Sequence, residues 1–328
     1  MKTPKALAIG ALALAATLES VLTFSAQTYP FRPITVVVPF AAGGPTDSLA
    51  RILAESMKQS LGQAILVENV TGAGGSIAIG RVARAAPDGY TLIMGNWSTH
   101  VGSPALYPIQ HDVLKDFEPV ARLPVSRLWV VGKIGLQAKD ATELIAWLKA
   151  NRNKASFGTV GAGSAAHVCG IYLENYTGTR FQFVPYRGGA PAYQDLAAGN
   201  IDLACLEAPS GLPYQRGGRI KAYAVAGNTR WSSAPDIPTL NEVGVPGLDL
   251  VFWNGLWAPK GTSKEAIAKL NLAVADALAD AKARQRIADL GLEVLPRELQ
   301  TPEALGAHHK ADIDKWWPII KAAGIKVD

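Results

Sequence analysis

Apolar residues follow one another along this chain in two alternating rhythms. The β-branched run Ile34–Val38 fits a strand covered on both faces, as in parallel sheets. The period then changes: Leu49, Ile52, Leu53 and Met57 recur at i, i+3, i+4 and i+8, the stripe of a helix. Between strand and helix lies a loop of small residues, 41–46. In it Gly44 and Pro45 fit the N-cap and first-turn positions, and Asp47 complements the helix dipole. A loop of this build points free backbone N–H groups out of a strand's carboxyl end, where anions bind. Taken alone it reads as an ordinary βα turn, but the chain builds a second one.

The alternation continues through a strand at 64–68, a glycine-rich turn at 69–76, a helix at 77–85, a turn at Pro87-Asp88-Gly89 and a strand at 91–94. That strand runs into a polar loop, Gly95-Asn96-Trp97-Ser98-Thr99-His100. The order β-α-β-α-β is half of a doubly wound sheet. Residues 117–132 run extended through Pro119 and Pro124, with 128–131 crossing into another unit. Asp140 and Glu143 open a helix at Ala141–Ala150, a strand at 155–160 follows, and Gly161-Ala162-Gly163-Ser164-Ala165-Ala166-His167 is the second small-residue loop before a helix. Then come a helix to Tyr176, a strand at 181–184, a turn at 185–189, a helix at 191–198 and strands at 201–206 and 221–226.

The aromatic stretch LVFWNGLWA, 250–258, carries the chain back to the first unit. Thr262 and Glu265 predict a capping box for a helix reaching Leu290 and stopped by Gly291. Thr301-Pro302-Glu303 caps a last helix that Pro318 should kink. The expected fold is α/β with two lobes, each a doubly wound sheet flanked by helices. Lobe I takes 27–127 plus 251–328, and lobe II takes 128–250.

Composition adds an address. Lys2 and Lys5 precede an apolar run from Ala6 to Leu18, with small residues at Ser25 and Ala26, the layout of a cleavable signal peptide over 1–26. The run is shorter than the roughly 20 residues a membrane span needs. No cysteine stands directly after the cleavage region, which argues against a lipid anchor. Among 328 residues the formal charge is +5, and loss of Lys2, Lys5 and Glu19 with the signal leaves +4. Without a Lys/Arg block this argues against a nucleic-acid partner and fits attraction of small anions only weakly. Cys169 and Cys205 are the only cysteines and have no CxxC spacing. They fall near a helix start and a strand end of the same lobe, so a bridge and a pair of buried thiols both stay open.

Catalytic signatures are missing: the chain has no GxSxG, HExxH or Walker loop. Gly161-x-Gly163-x-x-Ala166 matches a relaxed dinucleotide fingerprint, but the next strand ends at Val184-Pro185-Tyr186 without the required acid, so no nucleotide cofactor is expected. Ser164 and His167, three apart, could serve an exported α/β hydrolase, although a helix cap and a polar first-turn residue explain them more simply. His308 and His309 are adjacent on a helix, diverge, and make a poor metal pair, so no metal is expected. Two α/β units aiming small-residue loops at one crevice form a solute receptor that closes on a small anion.

With these residues in view, the chain closely resembles the periplasmic solute receptors of tripartite tricarboxylate transporters, the Bug family. The likeness covers essentially the whole mature chain. It rests on YPFRPITVVVPFAAGGPTDSLAR, LVENVTGAGGS, RAAPDGYTL, SFGTVGAGSAAHVCG, FVPYRGGAPAYQDLAAGNID, DIPTLNEVG and LWAPKGT, in order. The resemblance implies a Venus-flytrap fold, a monomer, no enzyme activity, and a small organic carboxylate held by backbone amides and water. Its partners would be the membrane components of a tripartite transporter or a sensor. Carried over, it makes Phe40, Ala41, Gly43, Gly44, Thr46 and Asp47 candidate ligand contacts, with Gly161, Gly163, Ser164, His167, Tyr186, Arg187 and Gly188. Asn96, Trp97 and Ser98, bulkier than the small residues usual there, and Glu207, an acid one position later than usual, are candidates where this chain departs from the family.

Overall fold

The computed structural model describes residues 28–107 and 110–324, so the expected signal peptide at 1–26 lies outside the described residues. In chain order the strands and helices are β1 (Ile34–Val38), α1 (Pro45–Leu61), β2 (Ile65–Asn69), α2 (Ser76–Ala83), β3 (Thr91–Asn96), β4 (Phe117–Ser126), β5 (Leu128–Lys133), α3 (Ala141–Ala150), β6 (Ser156–Thr159) and α4 (Ala165–Thr177). Then follow β7 (Gln182–Pro185), α5 (Gly189–Ala198), β8 (Leu203–Glu207), α6 (Ala208–Arg216), β9 (Ile220–Val225), β10 (Phe252–Pro259), α7 (Lys264–Ala279), α8 (Ala281–Asp289) and α9 (Pro302–Ala322).

They make two five-stranded sheets, β2-β1-β3-β10-β4 and β7-β6-β8-β5-β9. In the first, β1, β2 and β3 are parallel and β10 lies antiparallel to both β3 and β4. In the second, β6, β7 and β8 are parallel and β5 lies antiparallel to β8 and β9. The antiparallel member of each sheet is thus a strand that has just crossed from the other. Parallel strands of both sheets aim their carboxyl ends at the crevice, so a strand leaving the crevice runs against its neighbours.

Helices cover both faces. Leu49, Leu53 and Met57 of α1 pack with Val36, Val38, Leu270, Val274 and Ile287 on one face of the first sheet. Val82 of α2 and Trp316 of α9 close the other face over Ile93 and Trp257, in a cluster that runs on into the second sheet through Val130, Phe157 and Cys205. Cys169 of α4 and Cys205 of β8 form a disulfide with Cα atoms 6.2 Å apart, which resolves the open alternative in favour of the bridge.

Three local expectations change. The helix expected to reach Leu290 is two helices, because Asp280 takes an extended conformation (φ −63°, ψ 127°) and accepts a hydrogen bond from Ala283 N to cap α8. Its start is capped by Ser263 accepting from Ala266 N, while the Thr262 hydroxyl donates to Pro259 O. α6 has no counterpart in the sequence reading, since Pro209, Gly211 and Pro213 read as loop; Pro209 occupies the first turn, where a missing N–H costs nothing.

Candidate ligand cleft

Of the helices that follow a parallel strand, α1 after β1, α4 after β6 and α5 after β7 start at the small-residue loops and the turn singled out in the sequence and present orphan amides there. At the first, Gly44 is an extended N-cap without a side chain to offer, and the N–H groups of Thr46 and Asp47 have no partner among the described residues. The loop is held by Asp47. Its carboxylate accepts from Gly43 N (2.8 Å), Arg51 Nε and Nη2 (2.9 and 3.0 Å) and Asn69 Nδ2 (2.9 Å). Burial by itself would raise this carboxyl, but the bonds from Arg51, Gly43 and Asn69 prevail and hold it below the usual carboxylate range. Asp47 is therefore turned away from the crevice, and it shapes the loop. Asn69 also donates to Phe40 O, and the Phe40 ring packs on the core beside α1. The glycine that needs a left-handed backbone is Gly43 (φ +82°), not Gly44.

At the second, Ser164 caps α4: its Oγ accepts from His167 N (3.2 Å) and donates to Gly161 O (2.7 Å). His167 Nδ1 accepts from Gly163 N (3.2 Å), so the ring proton sits on Nε2, and burial lowers the ring's pKa. No imidazole nitrogen meets the Ser164 hydroxyl, and the pair does not form the nucleophile and base a hydrolase requires. At the third, Gly188 (φ +112°) caps α5, and exposed Arg187 makes no ion pair among the described residues. The Tyr186 hydroxyl donates to Asp195 (2.7 Å) along α5, which takes it out of the crevice; burial first, then Asp195, pushes its pKa up to about 12.

The β3 end behaves differently from the polar loop expected. Asn96 Oδ1 accepts from Ser98 N and Thr99 N, turning the chain into a π-helical segment, Ser98–Gly102. That turn rolls Trp97 inward, fully buried and edge-on to Trp316 at 6.0 Å. Trp97 is thus core and not a crevice residue. Asn96 stays at the crevice with Nδ2 toward Thr46 Oγ1 (3.3 Å), beside half-buried Ser98.

The two lobes touch through this turn: a Cβ on Gly102 would lie 2.0 Å from Gly163 O. On the crossing side, β4 passes into β5 through the single residue Arg127, whose O accepts from Ala208 N and whose guanidinium meets Glu293 (3.2 Å). Glu207 ends β8 opposite Leu128. Burial raises its carboxyl above the usual range, with nearby Ser126 pulling the other way.

Sequence reasoning missed Ser126 and Asn254, both buried, at the crevice ends of β4 and β10. The signal was available: Asn254 is the one polar residue among apolar and aromatic neighbours in 252–259, and Ser126 follows an apolar run directly before a predicted crossing. A separate cavity of about 380 Å³, lined by Pro104, Tyr107, His111, Asp112 and Trp317, includes none of these strand ends.

Comparison with known proteins agrees with this geometry. The model of the tripartite tricarboxylate transporter family receptor matches residues 49–325. An Agrobacterium vitis protein, the UPF0065 protein of the TAR-I ttuE-ttuC' intergenic region, is 38% identical over 318 residues, 96% of this chain and 91% of its own. The periplasmic binding protein BugD is 39% identical with a TM-score of 0.78, covering 91% of this chain and 99% of that one. MatC from Rhodopseudomonas palustris, solved with bound malate, is 38% identical with a TM-score of 0.79, covering 89% and 100%. With two sheets joined by crossing strands and amide-lined loops facing one crevice, the chain belongs to the tripartite tricarboxylate transporter receptor family, the group that includes the Bug periplasmic binding proteins.

Proposed function

We propose that this receptor captures a small organic carboxylate between its lobes in the periplasm, after loss of a signal peptide at 1–26, and presents it to transporter membrane components or to a sensor. We place lobe I at 27–127 plus 251–328 and lobe II at 128–250. The observation that carries the reading is the convergence of three uncapped or small-capped helix N-termini on one crevice, which favours a carboxylate without any buried counter-charge. The malate bound by MatC is a ligand of this chemistry. The contacts we assign are the backbone at Ala41, Gly43, Gly44, Thr46, Gly161, Gly163, Ser164 and Gly188, with the side chains of Asn96, Ser98, His167, Arg187 and Glu207. The protein works as a monomer and a binder, not an enzyme.

Native mass spectrometry of freshly purified mature protein tests this. The expected result is a co-purifying small acid that raises the melting temperature on titration and is recovered unchanged, a gain of RT ln(1 + [L]/Kd), about 2.7 kcal/mol at 100-fold excess over Kd. Turnover of the acid, or a failure of small carboxylates to stabilise the protein, would refute the reading.

A further inference from the structure

The helix starts that offer amides to the crevice are fixed in different ways. At α1 a polar pair ties the loop to β2: Asn69 Nδ2 donates to Asp47 and to Phe40 O, at 2.9 Å each. The α4 loop has no such tie. Among the described residues, the hydrogen bonds of 161–169 stay within the loop, the end of β6 and α4 itself, joining Ser164 to Gly161 and His167, His167 to Gly163, and Gly161 to Thr159. Polar anchors of α4 lie in its second half, where Tyr172 donates to Pro246 O, Tyr176 donates to Gly244 O, and Glu174 accepts from Phe181 N. Much of what the first half lays on the sheet is small. Ala165 and Ala166 are buried, and at Gly170 the helix comes so close that a Cβ would lie 2.6 Å from the Phe183 ring. Small side chains interdigitate little, so this packing sets the height of the helix over the sheet and opposes sliding along it only weakly.

What remains is the bridge. Cys169, in the second turn of α4, is bonded to Cys205, two residues before the crevice end of β8; both are fully buried, in the cluster that holds Val130, Phe157 and Leu203. Among the described residues it is the one covalent or hydrogen-bonded link from the first half of α4 to a strand other than the one it follows. We infer that the Cys169–Cys205 disulfide is a positioning device for ligand binding, fixing where the α4 amides stand in the crevice as Asp47 and Asn69 do for α1; this deepens the carboxylate-receptor reading and rests on it. Two free thiols in a close-packed site need van der Waals room, so without the bond the helix carrying Cys169 shifts against β8. The amides of 163–167 belong to the same hydrogen-bonded turn and move with it. Hydrogen bonds to an anion depend steeply on distance and angle, so a displaced or mobile turn binds more weakly while the two tyrosines keep α4 docked. Full affinity is therefore acquired only where disulfides form.

Hydrogen exchange and calorimetry on the mature chain test this, well below the melting temperature of each variant. Cys169→Ala/Cys205→Ala removes the bond, and Cys169→Ala/Cys205→Val removes it at nearly constant core volume. Tyr172→Phe/Tyr176→Phe removes the anchors of the second half and keeps the bond. The calorimetric probe is whichever of acetate, succinate and malate binds the wild type tightest. Both bridgeless variants should exchange the amides of 165–171 about tenfold faster relative to those of α1, and should bind the probe about tenfold more weakly, the scale of one hydrogen bond to a charged acceptor. The tyrosine variant should lose stability and bind within about twofold of the wild type, since a purely structural role would make the two kinds of variant alike. Wild-type affinity or unchanged exchange in either bridgeless variant overturns the inference and spares the receptor reading, as does equal weakening by the tyrosine variant. If neither bridgeless chain folds, wild-type exchange decides: amides of 168–171 as slow as those of 174–177 are expected, and a freely exchanging first half overturns the inference. Binding of none of the three acids to the wild type removes the receptor reading and the inference with it.

Discussion

Acid should unfold this protein through its last helix, and the structure gives the size of the effect. His309 of α9 is 1% exposed, and its Nε2 donates to His100 O (2.8 Å). His308 meets Trp253 edge-on at 5.3 Å and lies 3.9 Å from Asp312. His100 itself is fully buried and stacked on Trp257 at 3.8 Å. Burial, reinforced by Arg122 and His309, lowers the pKa of His308 to about 3. Burial outweighs the His100 carbonyl to lower that of His309 to about 4. Both groups are neutral in the folded state at pH 5, whereas in the unfolded chain they take up protons below about 6.5. Their contribution is therefore complete above the unfolded value and is lost as pH falls from there toward the folded values. Between pH 7.5 and 5.0 each loses about 2 kcal/mol, about 4 kcal/mol together, or on the order of 10 °C in melting temperature for a chain of this size. Asp312, Glu174 and Glu207, whose carboxyls are raised by burial, act with the opposite sign. The clean quantity is thus the difference between the wild type and a His308→Gln/His309→Gln variant in urea unfolding at the two pH values. The variant should lose about 4 kcal/mol less on acidification, whatever its stability at pH 7.5. If both proteins lose the same amount, the two histidines are not held neutral and the account of the α9 core is wrong.

Other consequences are more local. Asp47→Ala should cost about 2 kcal/mol in urea unfolding, because Arg51 is half exposed and rejoins water while Asn69 loses a charged acceptor; calorimetry should show weakened ligand binding as the 41–44 loop loosens. Gly102→Val should place a side chain against Gly163 O and hold the lobes apart, so that small-angle scattering finds no contraction on adding ligand while circular dichroism stays native; a normal contraction would mean that the Gly102 contact does not belong to the closed state. Cys169→Ser should cost about 3–4 kcal/mol for a bridge spanning 36 residues, and thiol counting on denatured, unreduced wild type should find no free thiol.

Periodicity was enough to place most strands and helices, because Ile34–Val38 or Leu49 to Met57 can bury their apolar faces in only one way. It failed where chemistry within one residue decides the outcome. Asp280 ends a helix stripe whose apolar spacing runs on into α8. Pro209 and Pro213 disguise α6 as loop. At the crevice, side-chain directions were not legible in the sequence. Asp47 and Tyr186 are polar and close to the loops, yet each bonds to the helix that follows its strand, Asp47 to Arg51 within α1 and Tyr186, from the turn before α5, to Asp195. Nothing in their spacing separates a residue that shapes a loop from one that faces a ligand. Trp97 went into the core because Asn96 bonds two amides beyond it, a side-chain turn that a strand-to-loop pattern does not encode.

The same reasoning explains why recognition divides between loops and crossings. Helix starts supply amides whatever residues occupy them, so an anion seat at these loops would need only glycines and small residues. Crossing strands arrive from the opposite direction, and their residues meet the crevice through side chains. Ser126 lies one residue before Arg127, where β4 becomes β5, and Asn254 lies near the start of β10, where the chain has just returned. Because Ser126 and Asn254 belong to the first sheet and Glu207 to the second, any movement of one lobe against the other must move Ser126 and Asn254 relative to the starts of α4 and α5, and Glu207 relative to the start of α1. A ligand that engages both sets is bound fully only in the closed arrangement, which is the differential contact that closure requires.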